Sequence, residues 1–186
     1  MTAMALRQTP RKTAPAVGSA PAETAAQKAA RYVWAGVRLA LGWTFLWAFV
    51  DKLFGLGFAT PGDRGWIDGG SPTKGFLSGS EGPFAGFYHA LAGTAFANWA
   101  FMLGLLGIGL ALTLGVGVRI AAAAGALLYV MMWSVVLPPQ TNPFLDDHLV
   151  LAAVLAGLAL VGAGRTLGFG AYWERLPIVR RLPWLR

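Results

Sequence analysis

Few side chains in this sequence are suited to chemistry, and they gather in three places: Asp51-Lys52, His89, and Asn142 with Asp146-Asp147-His148. A lysine carries a fixed positive charge, so Lys52 is the candidate substrate-binding residue for a small anion. Carboxylates and an imidazole exchange protons, so Asp51, Asp147 and His148 form a candidate catalytic set. Such a set could handle the protons that a quinone takes up on reduction. Aromatic side chains hold flat rings, and Trp133 is the candidate wall of a quinone site, with Trp66 and Trp99 expected at the same level.

Each of these residues also has a plainer use. Asp146 and Asp147 suit the positive end of a helix. Lys52 can anchor a helix at an interface, and His89 and His148 can be solvated interfacial groups. Tyr129, Met132, Trp133 and Val136 form a stripe that core packing would explain. What favours a site is their joint placement: Asp-Lys ends one apolar stretch and Asp-Asp-His begins another.

Other chemistries find less support. The two histidines, His89 and His148, leave little room for a metal site built on imidazole, and nothing has zinc-ligand spacing. There is no cysteine, which excludes a thiol relay, a covalently attached c-type haem and a cysteine-ligated cluster. Gly55-Leu56-Gly57 and Gly115-Val116-Gly117 lack the strand-to-helix context of a nucleotide loop.

The elements that must position these groups are apolar helices. Of 186 residues, 56% are hydrophobic and 12% charged, about half the usual charged share. That balance indicates an integral membrane protein of one domain. The net charge of +7 reads as a topology signal rather than a nucleic-acid footprint, because the basic residues flank apolar stretches. Residues 32–55 are long enough to span a bilayer core, which takes roughly 20 apolar residues. Arg38 within this span must pair, snorkel or line a polar site.

Residues 1–30, rich in Ala, Pro, Thr and Gln, read as a disordered tail. Further spans are expected at 98–118, 119–137 and 144–164. In the second, Gly107, Ala111 and Gly115 make a small-residue face for close helix approach. In the fourth, Asn142-Pro143 is expected to supply the helix start. The connector 56–97 holds two short helices, one capped by Ser71 and one amphipathic helix opened by Pro83. Residues 166–186 form a basic amphipathic tail. The side with both tails and Arg119 carries eleven Lys/Arg and two acids, against three Lys/Arg and six acids on the connector side. The positive-inside rule then places both termini in the cytoplasm. The expected fold is an all-α integral membrane protein, a four-transmembrane-helix bundle with short amphipathic helices in the outer connector.

Lys52-Leu53 at the end of the first span, the segment GGSPTKGFLSGSEGPFAGFYHALAG and the run NPFLDDHLVLAAVLAGLAL resemble the DoxX/DoxD family over roughly residues 31–175. Within it the sequence is similar to proteins described as large subunits of thiosulfate dehydrogenase (quinone). The resemblance implies a multi-pass subunit in a bacterial inner (plasma) membrane that passes electrons from thiosulfate to quinone, often with a small partner subunit. It transfers no set of catalytic residues. Quinone is the expected electron acceptor, with no metal or nucleotide evident. The expected partners are the lipid bilayer, a small subunit or soluble redox protein, and a second copy of the chain, but no nucleic acid. The alternatives are a non-catalytic membrane scaffold that docks a redox partner and, less favoured for want of an internal repeat, a small-solute transporter.

Overall fold

The computed structural model describes residues 22–140 and 142–185, and every regular element among them is helical. Four longer helices pack side by side: α1 (Ala25–Phe54), α4 (Ala95–Leu114), α5 (Val118–Val135) and α6 (Asp147–Val161). Helix α1 lies along α4, α4 along α5 and α5 along α6, and a contact between α6 and α1 closes the ring. Phe45, Met102, Leu105, Leu112, Leu155 and Leu158 fill the centre.

Helix α1 starts well before residue 32. Thr24 Oγ1 accepts from the Gln27 amide at 3.2 Å, and Gln27 Oε1 accepts from the Thr24 amide at 2.8 Å. This reciprocal cap, followed by an alanine-rich turn with strong helix propensity, starts the helix without apolar burial. Residues 25–30, expected within a disordered tail, are therefore helical; residues 1–21 of that tail lie outside the described residues.

The close approach of α1 to α4 does not use the expected face. A methyl group on Gly109 would lie 2.9 Å from the Leu46 nitrogen, and one on Gly42 would lie 2.9 Å from the Thr113 nitrogen. Gly107 faces open space, with nothing within 4 Å of its Cβ position. Gly115 instead ends α4 at φ 74°, and Gly117 opens α5 at φ 60°, so the pair makes the tight turn between them.

Helix α6 also begins later than residue 144. Asn142 Oδ1 accepts from the amides of Phe144 and Leu145 at 3.0 and 3.1 Å, but this closes a local turn. The working cap is Asp146, whose Oδ1 accepts from the Leu149 amide at 3.3 Å. The resulting helix has 15 residues.

At the end of the bundle near Gly115, Arg38 is fully buried. Its Nη1 donates to the carbonyls of Leu112 and Thr113, and its Nη2 to those of Thr166 and Leu167. The first two belong to the last turn of α4, at the negative end of the helix dipole, where Leu112 shares its carbonyl with the Gly115 amide at 3.2 Å. Buried charge is thus met by oriented carbonyls rather than a carboxylate. Beyond it, α7 (Gly170–Trp173) and α8 (Pro177–Arg181) fold back on this end, and Val179 is buried. Glu174 accepts from Arg165 Nε and Nη2 at 2.7 to 3.0 Å, and this bonding holds the guanidinium above its ordinary pKa.

Three helices, α1, α4 and α5, are long and apolar enough to cross a membrane. Large apolar side chains also cover the outside of the bundle, among them Trp43, Leu103, Leu110, Leu127 and Leu160. A water-soluble bundle would turn polar residues outward there. The fold is that of a helical membrane protein.

Candidate functional site

The end of the bundle opposite Arg38 is roofed by the connector. Its helices are α2 (Lys74–Ser78) and α3 (Ala85–Leu91). Asn98, buried in the first turn of α4, ties it down: its Oδ1 accepts from Ser71 Oγ at 3.0 Å, the Thr73 amide at 3.3 Å and Thr73 Oγ1 at 2.7 Å. Ser71, expected to cap α2, is spent on this bond. Trp66 stacks edge-on against Trp99 with ring centroids 4.7 Å apart. Tyr88 is buried, and its hydroxyl bonds to Ser134 Oγ and to the Met131 carbonyl on α5.

Between this roof and the flanks of α4 and α5 lies a cavity of about 370 Å³, within the range of small-molecule sites. Its wall is apolar and aromatic, with Phe76, Leu77, Phe101, Leu128, Met131 and Met132 prominent. Lys52 is the charged residue of that wall, its Nζ 6.0 Å from the Phe101 ring centroid. Asp51, next to it, is buried. One of its oxygens accepts from the Phe58 amide at 3.3 Å, so it fastens the start of the connector; the other has no hydrogen-bond partner among the described residues. No ion pair joins Asp51 to Lys52 among the described residues.

The other predicted residues lie elsewhere. On α5 the cavity takes Ala124, Leu127, Leu128, Met131 and Val135, one helical face. Tyr129, on a different face, points into the core, 5.2 Å from Phe45 and 6.0 Å from His148 between ring centroids. His148 Nδ1 meets Asp146 Oδ2 at 2.6 Å, and both side chains are largely covered. The carboxylate that works with His148 is therefore Asp146, which also caps α6, while Asp147 is exposed. Trp133 does not line the cavity; its indole donates to the Phe144 carbonyl at 2.8 Å and pins the loop before α6. His89, on the exposed side of α3, bonds to the Ser80 carbonyl at 3.0 Å.

The predicted cluster thus divides in two: Lys52 on an apolar cavity, and His148 with Asp146 on the α6 side of α5. Sequence reading missed Tyr88 and Asn98. Tyr88 sits among apolar neighbours on a short helix, but its hydroxyl needs a partner once buried. Asn98 was a visible polar residue in an apolar helix, a type that buries only when its hydrogen bonds are met.

Fold and site together define a helical membrane protein with an apolar, singly cationic cavity under a connector at one end of its bundle. No protein-family model, curated protein or solved structure matches the chain.

Proposed function

We propose that this chain is a DoxX/DoxD-like subunit of a quinone-linked oxidoreductase in a bacterial plasma membrane, with thiosulfate the donor and the quinone ring in the Lys52 cavity. The observation that carries the reading is the cavity itself, apolar on almost every side with one lysine in its wall. A small dianion would lose its hydration there against a single cation. A quinone ring matches the apolar wall, and a lysine facing its carbonyl oxygen favours the electron-rich reduced form. Lys52 therefore serves the acceptor rather than the donor. The His148–Asp146 pair is the group best placed to move protons on the other side of α5.

In this reading α6 crosses the membrane as a fourth span. Its 15 residues reach about 22 Å, and Gly162 at φ 63° ends it. Both tails then lie in the cytoplasm, as the charge bias requires.

The test is binding of a short-chain quinone to the purified protein, followed by thiosulfate-dependent quinone reduction with and without co-purifying partners. Lys52→Met should weaken quinone binding about tenfold, the loss of one charge-assisted contact, while Lys52→Arg keeps part of it. Unchanged quinone affinity in Lys52→Met would sink the cavity assignment. Reduction that needs an added partner, with variants defective only in docking it, would favour the scaffold reading.

A further inference from the structure

The opposite end of the bundle carries a second cavity, smaller and of different chemistry. It is a cleft of about 150 Å³ between the start of α5, the end of α6 and α7. Arg119, in the first turn of α5, and Arg165, just beyond α6, are both on its wall, with Glu174 and Trp173. Glu174 cancels one of the two positive charges and holds Arg165 in place, so the wall keeps a net positive charge. Arg119 is exposed, and its recorded bond is from Nη1 to the Pro183 carbonyl at 3.2 Å.

Two further features point to what fills the cleft. Helix α5 has 18 residues, no side-chain cap and no acid in its first turn, so its N-terminal amides meet no side-chain acceptor. Leu160 and Val161, on the same wall, are 86% and 51% exposed and open onto the apolar flank of the bundle. The cleft therefore offers cations at one edge, beside the uncapped start of α5, and an apolar strip at the other, the two-part chemistry of a lipid rather than of a free anion.

We propose that this cleft binds the phosphate headgroup of an anionic glycerophospholipid, with an acyl chain lying over Leu160 and Val161. Trp173 at the rim suits the headgroup level, where indole rings concentrate. Arg119 supplies the adaptable contact and Arg165 the fixed one.

The experiment titrates the full chain in detergent with short-chain phosphatidylglycerol, phosphatidylcholine of equal chain length, and inorganic phosphate, reading the thermal midpoint. Phosphatidylglycerol should raise it, and the other two should not at the same concentration. Arg119→Gln should weaken the phosphatidylglycerol effect about tenfold, the loss of one charged contact. Arg119→Lys should weaken it less. Because Arg119 is exposed, these variants leave the core intact. Leu160→Asn gives an independent check, weakening phosphatidylglycerol with both arginines in place. An equal shift with phosphatidylcholine would mean a bare apolar surface, and an equal shift with phosphate a free-anion site. Either result overturns the proposal, as does unchanged affinity in Arg119→Gln.

Discussion

The two ends of this bundle solve the same problem in opposite ways. Each must finish helices whose last polar groups face an apolar surround. At the Gly115 end one guanidinium collects four carbonyls, and glycines bring backbones together: a methyl group on Gly164 would fall 2.5 Å from the Gly115 carbonyl oxygen. At the Lys52 end the polar groups are met singly, by Asp51, Asn98 and Tyr88, each fastening a different part of the connector. The first arrangement leaves a cleft of about 150 Å³, the second a cavity of about 370 Å³. A bundle can thus be closed tightly at one end and roofed loosely at the other, and the roofed end is where a ligand of ring size fits.

Three substitutions and one control can break or sharpen that contrast. Arg38→Leu should have the largest effect, because it takes the donor from the carbonyls of Thr113, Thr166 and Leu167 and leaves a void. A loss of about 3–5 kcal/mol in unfolding free energy, the scale for removing one partner of a buried charged network, is expected in a denaturant titration. A loss under about 1 kcal/mol, within the range of an exposed pair, would show that this end is not held by the clamp. Next comes Gly109→Val, where the new side chain meets the backbone of α1. It should destabilise by about 1–3 kcal/mol, while Gly107→Val leaves the thermal midpoint nearly unchanged. Equal effects at the two glycines would misplace the α1–α4 contact. Smallest is Tyr88→Phe, which removes the hydroxyl tie between α3 and α5 for about 1 kcal/mol. Its signature is local: faster amide exchange in residues 85–92 with little change elsewhere. Uniformly faster exchange would mean that the roof is not a separate unit.

Much of the helical layout was legible in the sequence, since long apolar runs place α4 and α5 to within a few residues of where they begin and end. The start of α1 was not, because a capping box on an alanine-rich stretch raises no hydrophobic signal. Two acceptors competed to open α6, Asn142 and Asp146, and only packing of the loop under Trp133 decides between them. The candidate site was legible as a level and not as a place. Lys52 and His148 lie at the same end of the bundle, which charge and span order reveal. Which side of α5 each one faces depends on helix rotation, and neighbours such as Met132 and Trp133 point about 100° apart. The small-residue face failed for the same reason: spacing picked Gly107, Ala111 and Gly115, and rotation turned Gly109 toward α1 instead.

The Arg38 clamp also has a place in time. Its acceptors lie 74 to 129 residues further along the chain. A ribosome delivers α1 to the bilayer long before Leu112, and longer still before Leu167. During that interval the guanidinium has none of its final partners, and a charge without partners stays where water or headgroups reach it. Helix α1 must therefore rest with Arg38 at the membrane surface and take its final depth only when α4 and the segment after α6 arrive. One buried side chain makes α1, made before all of Arg38's acceptors, wait for the last of them to be locked.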